Sequence, residues 1–272
     1  MTAYRQIVQL IVALAVLTAL FAVLERLWPG KPLQRRLRRG LGTDLVYWFF
    51  TPLATKAVSK AAVVAALVPL LLVLGRPLDA SSIQAGFGPV TALPAWAQAA
   101  LILVTGDFIG YWVHRAFHGR WLWKFHAVHH SSTELDWLSS VRLHPVNDVV
   151  ARVCQAVPFV LLGFSPLVVA AYIPFLTFHA IALHANVSWT FGPLRHVVSS
   201  PTFHRWHHTR EDEALDRNFG GLLPVWDLLF GTFYMPKGKL PTEFGVKDDA
   251  VPEGFLAQLV HPIRRAGRGA GP

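Results

Sequence analysis

Eight of the thirteen histidines fall into three groups whose spacing suits metal binding. The groups are His114 and His118; His126, His129 and His130; and His204, His207 and His208. On a helix, residues three and four apart share one face, so each group can direct two or three imidazoles to one point. Neutral imidazole is the commonest metal ligand and suits iron, zinc and copper. Since one ion takes roughly four to six ligands, eight histidines predict two ions.

Other kinds of catalytic site find little support in the sequence. One HxxxH pair is common on helices and often structural, but three such groups are a rare coincidence. The chain has no GxSxG nucleophile elbow and no HExxH zinc-protease motif. Its one cysteine, Cys154, lies in an apolar run, where a thiol is usually inert. We therefore predict no catalytic residue beyond the metal ligands, and no Cys-ligated zinc or iron–sulfur site.

The composition predicts a membrane protein. Hydrophobic residues make up 53% of the chain and charged residues only 15%, so the hydrophobic content is higher than one soluble domain needs. A helix needs about 20 residues to cross a bilayer, and the candidate runs are 6–24, 45–75, 95–113, 149–164 and 167–183. The second run contains Pro52 and Pro69 and is predicted to be one long, tilted or broken span. Ser165-Pro166 separates the two shortest runs and predicts a hairpin. The expected fold is an all-α integral membrane protein with four to five transmembrane or hairpin helices and a histidine-rich cap.

The net charge of +9 is concentrated beside apolar runs. The two clusters are Arg35, Arg36, Arg38 and Arg39, and Arg264, Arg265 and Arg268. These positions favour membrane phosphates over nucleic acid. The first cluster also predicts that the loop after the first span is cytoplasmic. Three spans then leave His114 on the cytoplasmic side, and the hairpin returns the chain there, so all histidine groups are expected in one cytoplasmic cap.

Four stretches around these histidines resemble one protein family. They are GDFIGYWVHRAFH, WLWKFHAVHHSSTELDWLSSVRLHP, LHANV and SSPTFHRWHHTREDEALDRNFGGLLPVWDLLFGTFY. From about Gly106 to Tyr234, the chain is similar to the fatty acid hydroxylase superfamily, also called the sterol desaturase family. The resemblance implies a membrane-bound enzyme with two iron ions that hydroxylates, desaturates or cleaves a lipid with O2. It also implies the ligands His114, His118, His126, His129, His130, His184, His204, His207 and His208.

Two further histidines are candidates for the metal shell or its surroundings. His144 belongs to an RLHP motif that is common among bacterial members of the family, and it is expected in or beside the shell. His179 is five residues before His184, which turns it about 140° away on a regular helix. A packed histidine is therefore the alternative for His179.

Four polar residues are candidates for orienting the ligands. Asp107 lies in an apolar span about two turns before His114, so it either orients a ligand or bonds within the helix bundle. Asp216, Asn218 and Asp227 match the family pattern. They either support the last histidine group or cap loops.

The predicted function is O2-dependent oxidation of a C–H bond in a lipid, either a sterol, a fatty acyl group or a related molecule. Hydroxylation and desaturation both remain open. The alternatives are a membrane di-metal hydrolase and a metal transporter that use the same histidines. A hydrolase usually includes carboxylate ligands, and a transporter places ligands along the middle of its spans.

We further expect a separate electron donor, because the chain has no cysteine cluster and no GxGxxG fingerprint. A ferredoxin or cytochrome with its reductase would dock on the cytoplasmic face. Four basic residues there either steer this carrier or contact lipid phosphates, namely Arg120, Lys124, Arg195 and Arg205. The predicted domains are N-terminal helices with a basic loop at 1–94, a catalytic domain at 95–236, and a tail at 237–272. The tail is expected to be disordered from about Val260.

Overall fold

The computed structural model describes residues 3–247 and 251–266, and the regular structure in these ranges is helical apart from two isolated bridges. The helices are α1 (Ala3–Leu27), α2 (Leu41–Phe50), α3 (Lys56–Val73), α4 (Ala80–Ala85), α5 (Ala95–Phe117), α6 (Trp123–His130), α7 (Pro145–Leu162), α8 (Pro166–His184), α9 (Pro201–His207), α10 (Val225–Leu229) and α11 (Phe255–Ala266). Short 3-10 turns cover Pro89–Ala92, Trp137–Val141, Gly192–His196 and Asp212–Ala214.

Within the described ranges, five helical segments are long and apolar enough to cross a membrane. They are α1, α5, α7, α8 and the continuous segment Leu41–Val73, which includes α2 and α3. Apolar side chains on these helices, such as Val16, Leu72 and Phe175, point outward and are exposed. A surface of this kind requires lipid rather than water. The prediction of an all-α membrane fold is thus confirmed.

The second span is one long helix that changes its winding in the middle. A π-helical turn at Thr51–Thr55 joins α2 to α3. Pro52 lies in this turn and has no N–H to donate to the preceding turn, so a local change in helical winding is expected there. The sequence therefore located the irregularity correctly, and the two halves remain one 33-residue segment.

The loop between α1 and α2 is tied to the rest of the protein by a buried ionic network. Arg38 donates to Asp136 and to Asp44, and Asp44 also accepts from Arg142 at 2.6 Å. Arg38 is 5% exposed, so the prediction that it faces membrane phosphates is wrong. Two carboxylates offset the cost of burying this guanidinium. By contrast, Arg35 is exposed.

The C-terminal tail contains a helix where disorder was expected. The Phe255 ring contacts Tyr47 and Phe50 at centroid distances of 4.9 and 4.7 Å, and this contact anchors α11 against α2. Gln258 is buried on the same side. The prediction of disorder is therefore wrong up to residue 266. Residues 267–272, which include the predicted basic residue Arg268, lie outside the described residues.

An aromatic cluster joins the spans to the histidine-rich region. The Phe21 ring of α1 stacks on Trp137 at a centroid distance of 5.5 Å, and Trp48 of α2 meets Trp137 edge-on at 6.0 Å. Ile181 and Ala185, at the end of α8, belong to the same buried cluster. These contacts fix the position of the last turn of α8, which ends at a histidine.

Candidate metal centre

The histidines named by the family pattern lie at the ends of two spans and on two short helices. His114 is in the last turn of α5 and His118 follows it; His126, His129 and His130 are on α6; His184 ends α8; and His204, His207 and His208 are on or directly after α9. Helix α9 has clear starting signals, because the Ser200 hydroxyl accepts from the Phe203 N–H and Pro201 is the first helical residue.

The structure brings these histidines into two groups whose possible ligand atoms lie within 4.8 Å of one another. The five-histidine group is His114, His118, His126, His130 and His207, and the four-histidine group is His129, His184, His204 and His208. Each HxxHH motif is therefore divided between the two groups. Residues i and i+4 of each motif point to one group, and the residue between them points to the other.

In the four-histidine group, nitrogen lone pairs face one another. His129 Nδ1 donates to the Arg142 carbonyl at 3.0 Å, and His184 Nδ1 donates to the Ala180 carbonyl at 2.8 Å. Both Nε2 atoms are then acceptors, yet they lie 3.2 Å apart. A cation between them removes this conflict. Two nitrogens that bind one ion at about 2.1 Å and at a right angle lie about 3.0 Å apart.

A ring of the five-histidine group is oriented in the same way, with Nδ1 bonded to a backbone carbonyl and Nε2 facing another histidine. His114 Nδ1 donates to the Phe219 carbonyl at 2.9 Å, while its Nε2 lies 3.1 Å from His126 Nε2. The Nε2 atoms of His118, His130 and His207 are buried and have no hydrogen-bond partner among the described residues. Buried polar atoms are normally paired. An ion is therefore the partner that fits these nitrogens.

Burial keeps these imidazoles neutral, which is the form that binds metals. It holds the pKa values of His126, His129 and His130 well below the ordinary value, and neighbouring histidines lower these pKa values further. The pKa values of His204 and His208 are well below the ordinary value for the same reasons. The donor set is thus made of neutral imidazole nitrogens, which suit iron, zinc or copper.

One predicted carboxylate contacts a histidine of the centre directly. Asp216 Oδ1 accepts from His118 Nδ1 at 2.9 Å, while most of the Asp216 side chain remains exposed. Burial lowers the pKa of His118, and the hydrogen bond to Asp216 opposes this effect. Asp216 therefore orients His118 and connects it to the surface.

Asp227 and Asp107 accept hydrogen bonds from a loop rather than from a histidine ring. Asp227 accepts from the N–H groups of Phe219 and Gly220, and the Phe219 carbonyl receives the His114 hydrogen bond. Asp107 accepts from the N–H groups of residues 222 and 223 and from the indole of residue 226. Asp107 thus supports His114 through this loop instead of contacting its ring.

Asn218 connects α9 to the segment after α10. Its side-chain amide donates to the carbonyls of Phe203 and Tyr234, and its oxygen accepts from the Tyr234 N–H. Asn218 has a positive φ of 60°, which asparagine tolerates better than most residues. It therefore supports the helix that presents His204.

His144 and His179 belong to neither group. His144 accepts from the Val146 N–H at the start of α7, and its Nε2 donates to the Leu259 carbonyl. His144 therefore caps the start of α7 and also bonds to α11. His179 stacks on Phe175 along α8, a turn and a half before His184. The regular helix keeps the two histidines on different faces, as the 140° rotation predicts.

Asn147 and Arg142 support histidine rings and were not among the residues predicted from the sequence. Asn147, in the first turn of α7, accepts from His126 Nδ1 at 2.7 Å. Arg142 presents its carbonyl to His129, while its guanidinium binds Asp44 and Ser131. The RLHP motif is the sequence signal that could have identified both residues, because it contains Arg142 and ends two residues before Asn147.

Arg205 does not contribute to a docking surface. It is 1% exposed, and its guanidinium donates to the Leu135 carbonyl at 3.0 Å and lies over the Phe244 ring. The prediction that Arg205 steers an electron carrier is therefore wrong. Arg120 is exposed, and Lys124 and Arg195 are half-buried.

Comparisons with known proteins agree with this geometry. Residues 99–232 match the family model described as fatty acid hydroxylase. The ornithine lipid hydroxylase of Rhizobium tropici is 34% identical over 253 residues, which cover 92% of this chain and 74% of that protein. Human alkylglycerol monooxygenase is 32% identical over 158 residues, 58% of this chain and 32% of that protein. A very-long-chain aldehyde decarbonylase of Oryza sativa is 32% identical over 51% of this chain and 24% of its own length. No solved structure matches.

Proposed function

Because the chain belongs to the fatty acid hydroxylase family, we propose that it is a membrane oxidoreductase that uses two iron ions and O2 to hydroxylate a C–H bond of a polar membrane lipid. The single observation that carries the metal assignment is the division of nine histidines into two groups with converging nitrogens. The lipid assignment is supported by the similarity to an ornithine lipid hydroxylase over 92% of the chain.

The proposed ligands are the members of the two groups, and bound iron would supply activation of O2 and oxidation of the C–H bond. The protein fixes the ring orientations through backbone carbonyls, Asn147 and Asp216. The rings are also kept neutral and away from bulk water by burial. Desaturation would use the same metal ligands. The position of the substrate in the site therefore decides whether the product is an alcohol or an alkene.

Two alternative functions fit the geometry less well. A di-metal hydrolase would normally include carboxylate ligands, whereas both groups consist of histidine alone. A metal transporter needs ligands along its spans, whereas these histidines cluster at the span ends and on the short helices α6 and α9.

The test compares lipids from cells with and without the protein, grown with and without oxygen. We expect a lipid with a mass increase of one oxygen atom only in cells that have both the protein and O2. Replacement of His207 by Ala should abolish the product. Product formation that continues without O2 would reject the oxygenase and favour a hydrolase.

We also propose that the histidine-rich region faces the cytoplasm and receives electrons there from a ferredoxin or cytochrome with its reductase. The Arg-rich loop between α1 and α2 supports this orientation. Purified enzyme with substrate, O2 and NAD(P)H should be inactive until both proteins are added. Sustained turnover without them would contradict the proposal.

We also propose the domain division that the sequence predicts. It consists of N-terminal helices at 1–94, a catalytic domain at 95–236 and a tail at 237–272.

A further inference from the structure

A cavity of about 590 Å³ lies between α1, α2 and the loop that joins them, outside both histidine groups. Toward the loop, four cationic side chains line it beside two carboxylates, which leaves an excess of positive charge; they are Arg26, Lys31, Arg35 and Arg36, with Glu25 and Asp136. The part toward the spans is mostly apolar and is lined by Leu14, Thr18, Leu41 and Leu45. The cavity thus changes from cationic to apolar along its length, which matches the two ends of a lipid.

The apolar part continues into a second groove along the membrane face of α2. This groove has a volume of about 690 Å³ and shares Leu14 and Leu45 with the cavity. Its other lining residues include Phe49, Phe50 and Leu53. Together the two spaces offer room for a headgroup at the membrane boundary and for an acyl chain along the span.

The loop at the mouth of the cavity has the features of a segment at the membrane surface. The side chains of Leu33 and Leu37 are 100% and 86% exposed, respectively, and both line the cavity. Large exposed leucines beside arginines are favourable where lipid chains and phosphates meet. Arg36 also donates to the Ala22 carbonyl, which fixes its guanidinium beside α1.

We propose that the cavity and the groove together form a specific binding site for a membrane lipid with an anionic phosphate headgroup. Arg35 and Arg36 bind the phosphate, and one acyl chain follows Leu14, Leu45 and Phe49. The charge of the mouth and the continuity with the apolar groove identify this occupant. Asp136, Trp137 and Asn186 also line the cavity, and none of its lining residues belongs to either histidine group.

The test uses photoreactive lipids and the full-length protein in phosphatidylcholine vesicles. A small fraction of phosphatidylglycerol or phosphatidylcholine carries a diazirine in its acyl chain, and mass spectrometry locates the cross-links. We expect phosphatidylglycerol to label the segments around Leu14 and Phe49 in preference to phosphatidylcholine. The double variant Arg35→Ala with Arg36→Ala should reduce this preference by about tenfold.

A matched control removes two exposed positive charges that line neither the cavity nor the groove, by Lys237→Ala with Lys239→Ala. This variant should keep the preference, and both variants should keep the metal content and hydroxylation activity of the parent, which shows that they fold. Equal labelling by both lipids, or equal loss in both double variants, would overturn the proposed site. Neither result would bear on the metal centre, because its readouts are metal content and oxygen-dependent product.

Discussion

The two histidine groups differ in the number of their members and in what surrounds them. All members of the four-histidine group are buried, and backbone carbonyls orient His129 and His184. The five-histidine group includes the half-buried His114 and His118, and two of its rings bind the side chains of Asn147 and Asp216. Backbone carbonyls also orient His114 and His207 in the five-histidine group. The four-histidine group therefore depends on the backbone around it, and the five-histidine group depends in addition on side chains that mutation can remove singly.

The largest expected difference comes from removing one ligand in each group. His129→Ala leaves three histidines, whereas His118→Ala leaves four, which is still enough for one ion. We predict about one metal ion per chain and no activity for the first variant, and a metal content closer to two for the second. Elemental analysis of both purified proteins measures this difference. Equal metal loss in the two variants would break the comparison.

The next effect concerns the ionic network behind the four-histidine group. Asp44→Asn leaves Arg38 and Arg142 without a buried carboxylate between them, and breaking such a pair costs about 3–5 kcal/mol. We expect a lower thermal unfolding midpoint in detergent and loss of metal, because Arg142 presents the carbonyl that orients His129. Glu213→Gln, at an exposed position, is the control and should unfold like the parent. A parent-like midpoint for Asp44→Asn would show that the network does not stabilise the fold.

A more moderate effect is expected in the five-histidine group for Asn147→Ala. This change removes the acceptor of the His126 N–H, and loss of such a partner typically weakens metal binding by about 10- to 100-fold. Titration with a chelator should release one ion earlier than in the parent and leave the other unchanged. Simultaneous release of both ions would mean that the groups are not independent.

The smallest effect is predicted for Asp216→Asn. Its amide oxygen still accepts from His118 Nδ1, so the ring keeps its orientation and loses only the neighbouring charge. Metal content should stay at the parent level and activity should fall by less than about tenfold. Asp216→Ala removes the acceptor and should reduce activity further. Identical behaviour of the two variants would show that Asp216 has no role in orientation.

Some of these features were predictable from the sequence and others were not. Hydropathy located the five long apolar segments, and the histidine spacing located three of the four segments that form the centre. His184 came from the family resemblance, because a single histidine at the end of an apolar run has no pattern of its own. The division of HxxHH between two groups could not be predicted, since it depends on how α5, α6 and α9 meet.

The wrong predictions share a physical reason. Arg38 and Arg205 are basic residues near apolar segments, and the local pattern suggested exposure to phosphates or to a partner. Their buried positions depend on residues far away in the sequence, such as Asp136 for Arg38 and Leu135 for Arg205. Local composition likewise concealed α11, whose order depends on the contact between Phe255 and α2.

The most direct test of the central claim is the metal content of the active enzyme. The protein should be purified after growth with iron, reconstituted with its electron donor, and assayed for oxygen-dependent lipid hydroxylation and for iron per chain. The account predicts about two iron ions per chain, with activity rising in proportion to the fraction of chains that hold both. Full activity with one ion per chain, or with no metal in the four-histidine group, would contradict it.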